Sequence, residues 1–399
     1  MTTQKKFVTY FEAPVLNRSG YGLTSDAIFH SLYTYPLFQV TVLPTAWGSC
    51  APRLSPSPYD ALIRGSFPKQ REIPQPHILV SNTIPYMSKP VGTMFNINYC
   101  AGLETDKCPD MFMKGVNQWN LNIVGSNFAK AGYLNSNTKP SCPIEVVNFG
   151  VDTNAYKMTS TENPEVERAM AEVKENQCFL FVGQITSPHL FGDRKDMSNL
   201  IKTFCETFKG KADKPALIVK TGGTVYSAAD RNYTLERIQV VKQMVPNNDV
   251  NVYLIHGELN DEEMNALFNH KRIIAHVSFT HSEGYGLPLL QGSLSGKPVI
   301  ASNWSGHLDF LPEDKAILLK GKVEQIPPYC ASEFFLAESK WFNVDYEAAK
   351  ETLTKFYYGD RTEINVKAQI LARQNAKEFS LEAFEKKFHR VMDKYIVGK

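Results

Sequence analysis

The alternation of short apolar runs with helical patterns constrains the fold of this chain more than any other feature, and it occurs twice. The first half predicts strands at residues 6–11, 38–43, 77–82, 94–99, 121–126 and 144–149. The second half predicts strands at residues 178–184, 215–221, 250–256, 272–280 and 298–302. Strands this apolar, separated by helices, indicate parallel sheets that are covered on both faces. Two such blocks predict an α/β fold with two doubly wound, Rossmann-like domains.

A charged stretch that is poor in large apolar residues separates the two blocks. We predict an N-terminal domain at 1–158, a linker at 159–177 and a C-terminal domain at 178–375. The tail from Glu363 to Ile396 has helical spacing, and we expect the C-terminal helix at 376–399 to return to the N-terminal domain. A length of 399 residues and 43% hydrophobic residues allow each domain its own core.

Composition excludes several classes of protein. Charged residues make up 21% and the net charge is +2, which argues against a polybasic binder. We expect no transmembrane helix and no signal peptide, because no apolar run has the required length. Seven cysteines without a Cys-x-x-Cys pair indicate reduced thiols in the cytoplasm and no zinc site.

Ligands of such sheets bind in the loops after the strands, and those loops carry several candidate residues. Gly20 and Gly22, on either side of Tyr21, could admit a phosphate or sugar to the backbone, or could form a tight turn. Arg194 and Lys195 precede a predicted helix and form either an anion site or a solvated basic pair.

Lys220 ends an apolar strand. It faces a ligand there or extends its ammonium group to solvent.

The stretch HSEGYGLPLLQ, which follows the strand at 272–280, is the most informative of these loops. It has one carboxylate, at Glu283, and an amide eight residues later, at Gln291. Backbone amides in the turn before the helix could hold sugar hydroxyls or a phosphate. The candidate ligand-binding residues here are His281, Gly284, Tyr285, Gly286, Leu287 and Gln291.

The second half resembles the donor domain of retaining GT-B glycosyltransferases of the "group 1" or family-four type. The resemblance rests on EGYGLPLLQ, on GKPVIASNWSG downstream, on the Arg-Lys pair at 194–195 and on NFGVD at 148–152. It implies two domains facing across a cleft and a nucleotide-sugar donor, with UDP-glucose and UDP-arabinose as the admissible guesses. Gly20, Tyr21, Gly22 and Lys220 would also contact the donor.

The same resemblance implies catalytic roles. Arg194 and Lys195 would neutralise the donor diphosphate, and Glu283 would hold the donor sugar. The sequence departs from the family pattern at Gln291, which replaces a second glutamate, and at Gln184, where an arginine is more usual. The chain has no Asp-x-Asp pair, so we expect metal-independent transfer.

The first half is expected to bind the acceptor. Glu104 would act as a base or orient the acceptor hydroxyl, or it is a surface charge. Trp47 could stack on a sugar or base, or pack its own loop. Segments such as DRKDMSNLIKTF and HGELNDEEMNALFNH resemble glycosyltransferases of tailed bacteriophages, which implies hydroxylated or hydroxymethylated cytosine in duplex DNA as the acceptor, in the host cytoplasm.

Cations that could contact DNA phosphates, or that are ordinary surface charge, are Arg18, Arg53, Arg64, Lys69, Arg71 and Lys89. Two alternatives stay open at this point. One is a lipid-linked or polysaccharide acceptor, although no amphipathic membrane-binding helix is evident and no stable membrane insertion is expected. The other is a non-catalytic protein that binds sugar nucleotides.

Overall fold

The structure, a computed structural model, describes residues 7–48, 50, 52–53, 56–69, 74–185, 187–223 and 226–398. The chain divides into two compact units. The first comprises Met1–Gly150, Glu333–Ser339 and Phe379–Lys399, and the second comprises Val151–Ser332 and Lys340–Glu378.

The first unit contains a six-stranded parallel sheet in the order β2-β1-β3-β4-β5-β6. Its strands are β1 (Phe7–Ala13), β2 (Phe38–Pro44), β3 (Ile78–Ser81), β4 (Phe95–Cys100), β5 (Leu121–Val124) and β6 (Ile144–Val146). The helices between them are α1 (Gly20–Thr34), α2 (Asp60–Gly65), α3 (Asp110–Val116) and α4 (Asn127–Asn135). Every residue of β3, β4 and β5 is buried, as expected of central strands covered on both faces.

The second unit has a six-stranded parallel sheet in the order β12-β11-β10-β7-β8-β9. Its strands are β7 (Cys178–Val182), β8 (Ala216–Lys220), β9 (Val252–Ile255), β10 (Ile273–Ser278), β11 (Val299–Ser302) and β12 (Ile317–Leu319). Its helices are α5 (Pro164–Ala169), α6 (Met197–Phe208), α7 (Ala228–Gln243), α8 (Asp261–Asn269), α9 (Leu287–Ser293), α10 (Tyr346–Tyr358) and α11 (Thr362–Glu378).

Aromatic side chains join the sheet of the second unit to its helices. Phe179 on β7 packs edge-to-face on Phe204 of α6, with ring centroids 5.4 Å apart, and on Phe356 of α10 at 5.6 Å. All three rings are almost fully buried. Each buried ring of this size stabilises the fold by about 1.5–3 kcal/mol relative to exposure, so this core fixes the strands whose loops carry the candidate site.

The segment predicted as a linker, 159–177, belongs to the second unit. Asn163 caps α5 by accepting hydrogen bonds from the backbone amides of Glu165 and Val166. Val166, Met170 and Val173 are buried. Val166 lies on α5, whereas Met170 and Val173 follow its end, and the many charged neighbours conceal these three apolar contacts in the sequence.

The C-terminal region divides between the units. Helix α11 lies in the second unit, and the last helix, α12 (Leu381–Met392), lies in the first. There α12 packs on α1, and the ring of His389 donates from Nε2 to the carbonyl of Ser31 at 2.7 Å.

Elements whose pattern is polar were missing from the sequence-based prediction. They include the antiparallel hairpin of β13 (Gly321–Gln325) and β14 (Lys340–Val344), and also helices α2 and α10. Most of β13 is exposed, so it lacks the apolar run that marks the other strands. Among the described residues, no helix is long and apolar enough to cross a membrane.

Candidate active site

The order of strands in the second sheet places two loops side by side. The chain runs outward from β7 in one direction and from β10 in the other, and β7 and β10 pair in parallel. In doubly wound sheets, such a reversal opens a crevice at the carboxyl ends of the two strands, where ligands bind. The loop after β7 carries Arg194 and Lys195, and the loop after β10 carries Glu283.

These side chains meet. One carboxylate oxygen of Glu283 accepts from the Lys195 ammonium at 2.5 Å, and the other is 3.3 Å from the Arg194 guanidinium. Arg194 also donates to the backbone carbonyl of Ser282 at 2.7 Å. The Lys195 and Glu283 side chains are about nine-tenths buried, whereas Arg194 is somewhat more exposed, at 17%. Within this three-residue cluster, two cations therefore surround one carboxylate.

The charge state of Glu283 follows from its neighbours. Burial alone would raise the pKa of the Glu283 carboxyl, but the charges of Lys195 and Arg194 outweigh burial and lower the pKa to about 2. Glu283 is therefore a carboxylate at neutral pH. It can accept hydrogen bonds, but it has no proton to donate.

A turn after β11 fixes the backbone of Glu283. The Glu283 amide donates to Oγ of Ser305 at 2.9 Å, and the Glu283 carbonyl accepts from the amide of Gly306 at 2.9 Å. His307 donates from Nε2 to the carbonyl of Ser302 at 2.7 Å, which leaves its Nδ1 as the acceptor facing the Ser305 hydroxyl at 3.4 Å. The turn therefore connects β11 to the backbone of Glu283 through a chain of hydrogen bonds.

The backbone of this turn is strained, and its close contacts restrict which residues fit there. Ser305 has φ +88° and ψ −165°, a conformation that is almost restricted to glycine and costs about 1–3 kcal/mol. A Cβ atom on Gly306 would lie 2.2 Å from the carbonyl oxygen of Gly284. The sequence-based prediction did not single out Ser305, Gly306 or His307, although a Ser-Gly pair just after a strand is a signal of a constrained turn.

The loop between Glu283 and α9 is closely packed. Gly286 has φ +97° at the helix N-cap, and Tyr285 is buried with its ring 5.2 Å from that of Phe310. Gln291 lies on α9, is 8% exposed, and its side-chain amide makes no hydrogen bond within the part of the chain that the structure describes. A nearly buried amide in this state is suited to a hydrogen bond with a ligand.

Other predicted donor-binding residues are engaged by protein groups. His281 donates from Nδ1 to the Phe342 carbonyl at 2.8 Å and stacks on Trp341 at 4.3 Å. Lys220 is buried, donates to the carbonyl of Gly257 at 2.8 Å and lies 5.0 Å from the centre of the Tyr226 ring. Both side chains stabilise loops at the carboxyl edge of the sheet.

In the first unit, Tyr21 joins loops from three strands. Its ring stacks on Trp47, which follows β2, at 4.0 Å, and its hydroxyl is 3.1 Å from the thiol of Cys100 at the end of β4. One face of Trp47 is thus occupied by Tyr21. Gly22 is required by close approach, because a Cβ there would lie 2.3 Å from the Asn17 carbonyl, whereas Gly20 has open space around it.

The remaining candidates of the first unit differ in exposure. Glu104 is half-buried in the loop after β4. The prediction that Arg53 could contact a DNA phosphate is wrong, because its buried guanidinium forms ion pairs with Asp26 and Asp60. Arg64, Lys69 and Lys89 are exposed, and Arg71 lies outside the described residues.

Comparison with known proteins gives matches of structure only. No protein-family model matches the sequence, and no curated protein matches it. Many solved structures match, and several of them do so almost end to end. HepE from Anabaena, in complex with UDP and glucose, is 12% identical, with a TM-score of 0.64 over 97% of this chain and 100% of that one.

Sucrose-phosphate synthase from Thermosynechococcus elongatus is 12% identical, with a TM-score of 0.66 over 99% of this chain and 100% of the other. A glycosyltransferase from Rickettsia africae is 14% identical, with a TM-score of 0.63 over 98% and 99%. At such identities the likeness concerns the fold alone. The prediction of an α/β fold with two Rossmann-like units is confirmed, and it matches the GT-B fold of these neighbours.

Proposed function

We propose that this protein is a glycosyltransferase that moves a sugar from a UDP-sugar to an acceptor hydroxyl. The observation that carries the proposal is the buried cluster of Arg194, Lys195 and Glu283 at the point where the strand order reverses. The fold supports it as well, because the similar HepE structure holds UDP and glucose.

The cluster suits the charge that develops during transfer. When the bond from the sugar to the diphosphate breaks, the electron pair stays on the departing UDP, and fixed cations lower the barrier. In the proposed mechanism, Arg194 and Lys195 stabilise this charge without a metal ion. Glu283 holds both cations in place and accepts hydrogen bonds from the sugar hydroxyls.

We propose further that transfer retains the configuration of the sugar, with acceptor and leaving group on the same face. Gln291 would accept a hydrogen bond from the nucleotide ribose in place of the usual glutamate. Its nearly buried, unpartnered amide supports that role.

For the acceptor, we propose hydroxylated or hydroxymethylated cytosine in duplex DNA, modified in the cytoplasm of a host cell. The proposal rests on the resemblance of several segments to phage glycosyltransferases. Exposed Arg64, Lys69 and Lys89 are available as phosphate contacts in the first unit. Glu104 would orient the acceptor hydroxyl, and Trp47 has one face not covered by Tyr21 with which to stack on a base or sugar.

The experiment is a donor and acceptor screen. UDP-glucose and UDP-arabinose are incubated with DNA that contains the modified cytosines, and nucleosides are analysed by mass spectrometry while UDP release is followed separately. We expect a sugar mass on the modified base, lost in Glu283→Ala and kept in Glu262→Ala, a control at an exposed acid of α8.

The outcomes separate the possible functions. UDP release without DNA modification, together with sedimentation on liposomes, would favour a lipid-linked acceptor. Binding of UDP without turnover of either donor would indicate a non-catalytic protein. DNA binding that is absent even at low salt would exclude the DNA acceptor.

A further inference from the structure

A separate cavity lies at the opposite, amino-terminal edge of the second sheet. It has a volume of about 850 Å³, which is in the range of small-molecule sites. Ile273 and Pro298, at the starts of β10 and β11, line it together with Gln177, which precedes β7. Glu283 follows the carboxyl end of β10, so the cavity and the charged cluster lie at different ends of the same strands.

Positive and neutral polar side chains dominate the lining. Lys297 and Arg361 are the cations, and among the described residues no aspartate or glutamate lines the cavity. No aromatic side chain does so either within that part of the chain, which disfavours a planar base that would need a stacking partner. The lining therefore favours a ligand that carries negative charge and hydrogen-bonding groups.

Several of these groups lack protein partners. Within the described ranges, Oε1 of Gln177 is buried without a hydrogen bond and the partly buried side chain of Arg361 makes none, whereas the amides of Asn365 and Gln369 are exposed to solvent. The Arg361 guanidinium lies 5.7 Å from the centre of the Phe356 ring, which restricts its position. Buried polar groups are normally satisfied, so the amide oxygen of Gln177 and the guanidinium of Arg361 are the groups here that a polar occupant would satisfy.

Lys297 contributes charge from the floor of the cavity. Its ammonium donates to the carbonyls of His270 at 2.6 Å and Ile273 at 2.5 Å. An ammonium group has three protons, so one remains for a ligand. Lys297 is unsuitable for a test by substitution, because its two backbone bonds tie α8 and β10 to the loop before β11.

We propose that this cavity is a second binding site, and that it takes a small sugar phosphate. The phosphate would bind Arg361 and Lys297, where charge-assisted hydrogen bonds are strongest. The hydroxyls would bind the amides of Gln177, Asn365 and Gln369, which both donate and accept. The proposal is independent of the transfer reaction, since it uses no residue of the charged cluster.

The test is calorimetric titration of the full-length protein with three probes: glucose 6-phosphate, glucose and inorganic phosphate. Gln369→Glu adds a negative charge at an exposed helical position, and Arg361→Gln removes a positive one. We expect each change to weaken binding of glucose 6-phosphate by at least ~10-fold. Gln374→Glu, the same substitution on the same helix outside the cavity, should leave the affinity unchanged.

The expected result also includes undiminished binding at saturating UDP, because the two sites are separate. No saturable binding of glucose 6-phosphate up to about 10 mM, or equal affinity in both lining variants and the wild type, would overturn the proposal. Displacement by UDP would overturn it too. Equal affinity for inorganic phosphate would contradict the role of the hydroxyls. Thermal unfolding of each variant distinguishes loss of binding from loss of fold.

Discussion

The carboxyl edges of the two sheets present different chemistry. In the second unit, a buried carboxylate lies between two cations, and a strained turn fixes its backbone. In the first unit, an aromatic pair and a thiol join the loops, and the acid Glu104 is only half-buried. A buried cluster with net charge specifies its ligand closely, because few ligands compensate such charge. An aromatic surface can stack on many ligands. The first unit therefore indicates the chemistry of its acceptor less closely than the second unit indicates that of its donor.

The largest expected effect comes from making the same substitution, glutamate to glutamine, at the carboxyl edge of each sheet. Glu283→Gln leaves Lys195 and Arg194 without their carboxylate, and we expect turnover to fall ~10²–10³-fold and the free energy of unfolding to fall by about 3 kcal/mol. Glu104→Gln should leave that free energy within about 0.5 kcal/mol of the wild type. UDP release and chemical denaturation measure the two quantities. Equal loss of stability in the two variants would remove the distinction between the edges.

A double variant sharpens the same comparison. In Glu283→Gln with Lys195→Met, no lone buried lysine remains, so much of the lost stability should return while activity stays low. Recovery of activity together with stability would mean that the ion pair has a structural role only.

Acid should destabilise the second unit through Glu283. Its pKa is lowered to about 2 in the folded protein, and it is about 4.3 in an unfolded chain. A lowered pKa stabilises the fold above the unfolded value, and this stabilisation is lost as pH falls from about 4.3 to 2. We expect Glu283 to account for about 3 kcal/mol of that loss. The slope of unfolding free energy against pH in this window should be smaller in Glu283→Gln, and an unchanged slope would show that Glu283 is not the group involved.

Two substitutions at Ser305 separate the effect of its strained backbone from the effect of its hydroxyl, which bonds the Glu283 amide. Ser305→Gly removes the hydroxyl but accepts φ +88° without strain, whereas Ser305→Ala removes the hydroxyl and keeps the strain. We expect Ser305→Gly to be more stable than Ser305→Ala by about 1 kcal/mol. Both variants should lose turnover to a similar extent, because Glu283 loses the same hydrogen bond. Full activity in both would remove Ser305 from the account.

The smallest expected effect is that of substitutions at Gln291 on donor binding. Gln291→Ala should weaken donor binding about 5–10-fold through the loss of one hydrogen bond. Gln291→Glu should be tolerated, because the carboxylate still accepts. The KM for UDP-glucose measures both, and an unchanged KM in Gln291→Ala would exclude contact with the donor.

Much of this fold was predictable from the sequence, and the reason lies in the central strands. Runs such as CFLFV on β7 and ALIV on β8 are apolar because both faces are buried, so composition alone reveals them. The hairpin of β13 and β14 has no such run. The segment 159–177 also escaped prediction as a packed element, since its buried residues are few.

The residues of the candidate site also differ in how far the sequence reveals them. Arg194, Lys195 and Glu283 were recognisable because they lie in loops after buried strands, where ligands of such sheets bind, and because they stand in motifs that carry the family resemblance. Arg53 was misread as a phosphate contact, because its partner Asp26 is distant in sequence. The Ser-Gly pair at 305–306 signals a constrained turn, but the strain at Ser305 itself depends on backbone angles that the sequence does not reveal.

The most direct test of the central claim is a measurement of how tightly the charged cluster of the second unit binds a nucleoside diphosphate. Calorimetric titration with UDP compares the wild type with Arg194→Met, in which the more exposed cation is removed and Lys195 still pairs with Glu283. We predict that the wild type binds UDP and that Arg194→Met binds at least ~10-fold more weakly. Equal affinity in the two proteins, or no binding of UDP to the wild type, would contradict the account.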